Sequence, residues 1–235
     1  SECLVGVIAS EGCADTDTVN SALNCLTNLA SHTANRVAML RAEGVLGVLV
    51  RVIRGSEPNS KPLRNSLVTL TNLSCHKENR VPMMSMGVAD LLITLTLTAG
   101  SDSKHLEAVL IMLVNLSSVE QCRVPLVQSG AAEAALAVVR SFHATSSLPL
   151  SDVCKESKNA EISLKIIQNL SAHHDTGDAL LHQGALEVVL ECASSPDLKL
   201  SAVAAGVLSN LALYAKASPE PLHEKASPEH GGLDG

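Results

Sequence analysis

The sequence predicts an all-α chain built as a solenoid of similar helical repeats. A five-residue segment centred on asparagine and leucine recurs at residues 26–30, 70–74, 113–117, 167–171 and 208–212. Successive asparagines lie 44, 43, 54 and 41 residues apart, a period typical of helical repeat proteins. Hydrophobic residues make up 46% of the chain, but aromatic residues only 1%. Aliphatic side chains without rings suit closely packed helices better than strands, so a β-sheet fold is disfavoured.

Each repeat is predicted to contain three helices. After the asparagine, a polar turn leads to a short first helix, with Pro82 and Pro125 expected near its start, where a missing N–H costs little. A glycine 15 or 16 residues after the asparagine then ends this helix, since glycine readily adopts the left-handed conformation needed there. These glycines are Gly44, Gly87, Gly130 and Gly184. A largely apolar second helix follows, and a polar loop leads to a third helix that ends at the asparagine.

The repeats are expected to occupy residues 1–214 as one domain. Residues 1–10 fit the second helix of an incomplete first repeat, and four further repeats follow. The 54-residue step implies an 11-residue insertion at about 142–158. It is either a tolerated loop without a role or a segment near a binding face. Residues 215–235 form a tail whose start aligns with the first helices, as a cap on the stack would, and whose remainder is predicted to be disordered.

The repeated pattern resembles the armadillo repeat, the family of importin-α and β-catenin. That family shares the short first helix, the glycine before the second helix and a third helix ending in Asn-Leu-Ala/Ser. The resemblance covers about residues 1–214 and implies a right-handed superhelix whose third helices line a concave groove. It also implies that the recurring asparagine hydrogen-bonds the backbone of an extended partner segment. The alternative is that each asparagine only caps the C-terminus of its own helix.

The resemblance carries partner binding onto nine residues of the three middle third helices. The asparagines are Asn72, Asn115 and Asn169. The groove positions four and eight residues before them are Val68 and Arg64, Ile111 and Glu107, and Lys165 and Glu161. In importin-α the position four residues before the asparagine is typically tryptophan, and this chain has no tryptophan. A nuclear-import receptor is therefore disfavoured.

The charges at these groove positions are mixed. Because no stripe of one sign forms, the expected ligand is an extended or amphipathic segment of another protein rather than a strongly acidic or basic one. Some of these charges are also expected to pair with one another.

Composition disfavours several other functions. The net charge of −7 and the scarcity of aromatic residues argue against nucleic-acid binding. Seven scattered cysteines without a Cys-x-x-Cys pair indicate reduced thiols, as in the cytoplasm. No phosphate-binding loop, nucleophile elbow or His-Glu-x-x-His motif occurs, so neither an enzyme nor a cofactor is predicted.

Two further sets of residues recur once per repeat. The histidines His32, His76 and His173 follow the asparagine and are expected to cap helices rather than to bind metal, since no further ligands converge in sequence. The arginines Arg36, Arg80 and Arg123 are expected to join adjacent repeats through carbonyl or carboxylate groups.

These observations predict a cytoplasmic, non-enzymatic scaffold or adaptor that binds a partner segment in its groove. One alternative is a structural component of a cytoskeletal or ciliary assembly, which would use the outer face and the ends of the stack. Another is an organelle-tethering scaffold like the armadillo-repeats-only proteins of apicomplexan parasites. Such a scaffold would lie on the cytoplasmic face of a membrane, held only through an N-terminal anchor that is not within this sequence.

Overall fold

The computed structural model describes residues 2–9, 16–98, 105–143 and 150–215, which contain helices and no strand. The first helices of the repeats are α3 (Arg36–Arg41), α6 (Lys77–Ser85), α9 (Glu120–Gln128) and α12 (His174–His182). The second helices are α1 (Glu2–Ala9), α4 (Val45–Gly55), α7 (Val88–Thr98), α10 (Ala131–His143) and α13 (Ala185–Ala193). The third helices are α2 (Thr16–Ser31), α5 (Lys61–Ser74), α8 (Leu106–Ser117), α11 (Leu150–Ser171) and α14 (Leu198–Ala215). A 3₁₀ turn at Thr33–Asn35 precedes α3.

The four recurring glycines separate the first and second helices, as predicted. Their φ angles are positive, between 74° at Gly87 and Gly184 and 92° at Gly130. Residues with a Cβ rarely adopt this left-handed conformation, because the Cβ approaches the following carbonyl oxygen. Glycine at these positions lets the chain turn sharply from one helix into the next.

The prediction that Pro82 and Pro125 lie near the start of the first helices was wrong. Each proline is the sixth residue of its helix, because α6 begins at Lys77 and α9 at Glu120. Both prolines are exposed. A proline has no N–H to donate to the carbonyl four residues before it. Because these prolines lie on the exposed side of the helix, that carbonyl can hydrogen-bond to water instead.

The helices stack in two parallel rows around one hydrophobic core. Consecutive third helices contact one another from α2 to α14. Among the second helices, α1 contacts α4, α7 contacts α10, and α10 contacts α13. Leucines of the recurring segment, among them Leu70 and Leu113, are fully buried between the rows. Helix α1 contacts α2 and α4, which are the contacts of a second helix in the stack.

Part of the predicted insertion is helical. Helix α11 has 22 residues, whereas α5 has 14 and α8 has 12, so residues 150–158 extend α11 at its N-terminal end. Residues 144–149 lie outside the described residues. The extension contacts the repeats on both sides of α11. Ser157 Oγ donates to Asp197 Oδ2, just before α14, over 2.7 Å. Lys158 Nζ lies 2.6 Å from Glu107 Oε1 of α8.

Asp197 caps helix α14. Its Oδ1 accepts hydrogen bonds from the backbone N–H groups of Lys199 (2.9 Å) and Leu200 (3.4 Å). The hydrogen bond from Ser157, together with those from these backbone groups, lowers the pKa of Asp197. A lowered pKa in the folded state stabilises the fold above the pKa of an unfolded aspartate, about 3.9, and this contribution is lost as the pH falls through the folded pKa.

We expect Asp197→Ala to lower the free energy of unfolding by about 1 kcal/mol at pH 7, the usual cost of losing a helix N-cap. The difference from the wild type should shrink as the pH falls below about 4, since the carboxylate is protonated first in the unfolded state and then, at its lower pKa, in the folded state. Urea unfolding at pH 7 and pH 3 measures this. Asp178→Ala, at an exposed position within α12, is the control and should change little. An equal loss at both pH values for Asp197→Ala would contradict the role of the charge.

The last second helix exposes leucines at positions that the preceding repeat buries. Leu186 and Leu190 of α13 are 43% and 49% exposed, whereas the corresponding Ala132 and Leu136 of α10 are fully buried. The difference arises because α13 packs on α10, while no later second helix occurs in the described residues. The predicted cap and disorder of the tail fall on residues 216–235, outside the described residues.

No single helix among the described ranges is both long and apolar enough to cross a bilayer. Two consecutive pairs, α6–α7 and α9–α10, reach that length and composition only across bends of 83° and 75°.

Candidate partner-binding groove

A cleft lies between the third helices α5 and α8. Its walls are formed by Val68, Thr71, Asn72, Glu107, Ala108 and Ile111. Four of these residues, Val68, Asn72, Glu107 and Ile111, are groove positions predicted from the repeat pattern. The volume of about 240 Å³ is below the roughly 300–1,000 Å³ typical of small-molecule sites. The cleft is therefore smaller than a typical small-molecule site.

The floor of this cleft is apolar and partly open to solvent. Val68 is 39% exposed, and Ile111 is half-buried against the core. A partly exposed aliphatic pair at the junction of two helices offers hydrophobic contact area to a ligand that covers it.

The acidic groups near the cleft are paired within the chain. Glu107 binds Lys158 of the α11 extension, and Glu161 binds Lys165 one turn further along α11, over 2.5 Å. Arg64 is exposed and forms no ion pair with any other described residue. The expected pairing between groove positions therefore occurs for Glu161 with Lys165, whereas Glu107 pairs with Lys158 outside those positions. Arg64 is left without an ion pair to another described residue.

The recurring asparagines bond backwards to the preceding repeat. Asn115 Nδ2 donates to Ser74 Oγ over 2.9 Å. Asn169 Nδ2 donates to Ser117 Oγ (3.1 Å) and to the Val114 carbonyl (3.3 Å). Asn210 Nδ2 donates in the same way to Ser171 Oγ and the Gln168 carbonyl, 3.0 and 3.1 Å away. The alternative that each asparagine caps its own helix was therefore wrong for Asn115, Asn169 and Asn210, because their amides bond to the preceding third helix instead.

Asn72 differs from these three residues. Its side chain is partly exposed in the cleft and makes no hydrogen bond with any other described residue. The preceding third helix has Ala30 at the position where later helices carry serine. An alanine side chain offers no acceptor to the amide, so the preceding third helix does not engage Asn72 as the later ones engage Asn115, Asn169 and Asn210.

Comparison with solved structures identifies the architecture. A computationally designed armadillo repeat protein for modular peptide recognition matches with a TM-score of 0.72 at 16% identity, covering 88% of this chain and 80% of that one. A β-catenin chain, from a structure describing a phosphorylation switch in the interaction between cadherin and β-catenin, matches with a TM-score of 0.70 at 16% identity. That match covers 95% of this chain and 40% of the β-catenin chain.

This chain has the armadillo-repeat fold. The predicted all-α, right-handed solenoid is thereby confirmed, with about four complete repeats and an incomplete N-terminal one. A third match, a designed armadillo repeat protein in complex with the peptide (KR)4, has a TM-score of 0.70 at 16% identity and covers 88% of this chain and 80% of the designed one. No family model and no curated protein matches the sequence.

The recurring arginines of this armadillo stack cap the third helices. The Nε atoms of Arg36, Arg80 and Arg123 donate to the carbonyls of Ala30, Ser74 and Ser117, over 2.9, 2.9 and 3.2 Å respectively. These carbonyls belong to the last turn of a helix, where no backbone donor remains for them. Since each arginine sits on the first helix of the next armadillo repeat, the prediction that arginines join adjacent repeats is confirmed.

The fourth armadillo repeat replaces this arginine with Gly177. The ring of Tyr214 from α14 fills the adjacent space, and a Cβ placed on Gly177 would lie 2.5 Å from Tyr214 Cδ2. The ring also makes an edge contact with His174, with centroids 5.9 Å apart. An aromatic contact thus takes the place of the arginine at this end of the stack.

The recurring histidines have unequal roles. His173 Nδ1 accepts a hydrogen bond from the backbone N–H of Asp175 and so caps α12. His32 and His76 also precede helices but form no side-chain cap. The prediction of helix caps is confirmed for His173 alone. Within the described ranges, no three side chains of the metal-ligating types His, Cys, Asp and Glu cluster together.

Proposed function

We propose that this chain is a non-enzymatic adaptor that holds an extended segment of another protein in the groove between its third helices. The proposal rests chiefly on the cleft between α5 and α8. There, a partly exposed aliphatic floor lies beside the amide of Asn72, which has no hydrogen-bond partner among the described residues. An extended peptide needs both features, since its backbone must hydrogen-bond and its side chains need pockets.

The chemistry of the cleft suggests which segment it would hold. An aliphatic side chain would pack between Val68 and Ile111, and a backbone carbonyl would accept a hydrogen bond from Asn72. A partner carboxylate would pair with Arg64, the groove cation that no described acidic residue neutralises. The partner is therefore expected to combine an aliphatic and an acidic residue.

The fold comparisons support a binding role in general terms. The similar structures are a protein designed for modular peptide recognition, a designed protein in complex with the peptide (KR)4, and a structure that concerns the interaction of cadherin with β-catenin. A basic peptide such as (KR)4 suits the present groove poorly, because its carboxylates at Glu107 and Glu161 already pair with lysines. We propose a different ligand class for this chain on that ground.

Peptide selection tests the proposal. Dodecapeptides selected on the immobilised chain from a random phage-displayed library would be synthesised with a fluorescent label, and their affinities measured by fluorescence anisotropy. We expect an aliphatic and an acidic residue to recur among them. Ile111→Asp, which places a charge in the cleft, should weaken binding at least about tenfold, or roughly 1.4 kcal/mol.

The matched control is Ala137→Asp, which introduces the same charge at an exposed position of the second helix α10. It should leave the affinities unchanged, and circular dichroism should show equal helix content for both variants. Peptides that bind Ile111→Asp as tightly as the wild type would contradict the groove proposal. If Ala137→Asp alone weakened them, the outer face would be the binding surface.

A further inference from the structure

The hydrogen bonds of the recurring asparagines change along the stack. The Asn72 amide donates no hydrogen bond to another described residue, the Asn115 amide donates one, and those of Asn169 and Asn210 donate two each. A side-chain amide has two N–H groups. The contacts that tie each amide to the preceding third helix therefore increase from none at Asn72 to two each at Asn169 and Asn210.

A single position in the preceding third helix accounts for most of this difference. It lies two residues after the preceding asparagine and is occupied by Ala30, Ser74, Ser117 and Ser171 in turn. All four side chains are fully buried. Only the three serines provide an oxygen within reach of the next asparagine.

The serine hydroxyls are held as acceptors. Each donates its own hydrogen to the carbonyl three residues earlier: Ser74 to Thr71 (2.7 Å), Ser117 to Val114 (3.0 Å) and Ser171 to Gln168 (2.9 Å). With its hydrogen committed, the oxygen presents its lone pairs to the amide of the next repeat. The hydroxyl and the amide together form a clamp between neighbouring third helices, which we call the serine clamp.

We propose that the serine clamp decides which asparagines hold the partner. Asn72, and with its remaining N–H Asn115, bind the backbone of the partner segment, whereas Asn169 and Asn210 hold repeats together. This inference rests on the proposed groove function and narrows it to the N-terminal half of the described stack. The cleft lined by Val68 and Ile111 also has Asn72 in its wall.

The distance between neighbouring third helices fits a short stretch of extended peptide. Packed helices lie about 8–10 Å apart, and an extended chain rises about 3.3 Å per residue. Asn72 and Asn115 would therefore bind carbonyls roughly three residues apart. The side chain between them would enter the cleft, and a carboxylate nearby in the segment would reach Arg64.

Paired alanine substitutions test this division of roles with the selected fluorescent peptides described above. Asn72→Ala should weaken binding at least about tenfold and leave the melting temperature nearly unchanged. Asn169→Ala should leave the affinity within about twofold of the wild type but lower the melting temperature by about 2–6 °C, since two inter-repeat hydrogen bonds are lost.

Changing the clamp itself is the sharper test. Ala30→Ser adds one oxygen where the other repeats have it, so it should weaken peptide binding several-fold by engaging Asn72. Ala22→Ser buries the same hydroxyl elsewhere on α2, where Ala22 is 4% exposed, and is the matched control. It should leave the affinity unchanged. Equal affinities for wild type and Ala30→Ser, with equal helix content, would overturn the clamp.

The experiments distinguish a wrong division of roles among the asparagines from a wrong groove proposal. If Ile111→Asp abolishes binding but Asn169→Ala weakens it as much as Asn72→Ala does, the groove stands and the division of roles is overturned. The division of roles is also overturned if neither asparagine substitution weakens peptide binding. If Ile111→Asp has no effect, the groove proposal itself fails.

Discussion

Leu113→Ala should lower the free energy of unfolding by about 2–5 kcal/mol, the range measured for leucine truncation in protein cores. Leu113 is fully buried in α8, and α8 contacts third helices on both sides, α5 and α11, as well as α7 and α9. The cost combines the lost transfer free energy with the cavity that remains, since helices fixed in a stack can close only part of it. Urea unfolding followed by circular dichroism measures the loss.

The control for this substitution is Leu198→Ala. Leu198 is 83% exposed at the start of α14, so its truncation should change the free energy of unfolding by less than about 0.5 kcal/mol. Each repeat of a solenoid contacts only its neighbours. The damage from Leu113→Ala should therefore appear in hydrogen exchange as faster exchange in α5, α8 and α11 before the ends. A loss below 1 kcal/mol would contradict the buried position of Leu113.

Restoring arginine at position 177 should destabilise the chain, although three other repeats carry arginine there. The space beside Gly177 is taken by the Tyr214 ring, and even a Cβ would lie 2.5 Å from it. Gly177→Arg must displace this ring or strain the contact between α12 and α14, at a cost of about 1–3 kcal/mol typical of overpacking. Thermal unfolding of the variant measures this cost.

A double substitution separates the clash from other effects of the new residue. In Gly177→Arg with Tyr214→Ala, the ring is gone and the arginine can reach the carbonyls that end α11. The two changes should therefore be non-additive, with the double variant more stable than the sum of the single effects predicts. Strict additivity, or a stabilised Gly177→Arg single variant, would show that the ring does not exclude the arginine.

The fold could be predicted from the sequence because its determinants are local and repeated. The positive φ of Gly87 and Gly130 follows from the rule for a residue that ends a helix before a sharp turn, and fixed offsets in the sequence reveal it. The predicted start of the first helices is wrong because proline favours the first turn of a helix, whereas α6 accommodates Pro82 at its sixth residue, on the exposed side.

The candidate site was predictable only in part. Val68, Asn72, Glu107 and Ile111 are brought together at the expected places. The hydroxyl that engages Asn115 lies 41 residues before it, and the lysine that pairs with Glu107 comes from the insertion, 51 residues after it. Such partners depend on how repeats stack, which periodicity does not specify. Ala30 stands where the next three repeats carry serine, and this difference is visible in the sequence. It could have indicated that Asn72 differs from the later asparagines.

The contact between Tyr214 and Gly177 has a spectroscopic consequence. The chain contains one tyrosine and no tryptophan, so its intrinsic fluorescence comes essentially from the single ring that packs at the end of the stack. In a solenoid whose repeats can unfold separately, this emission would report the detachment of α14 from α12, while the far-ultraviolet dichroism would report all helices together. A difference between the two transition midpoints would measure directly how far the last repeat is coupled to the rest.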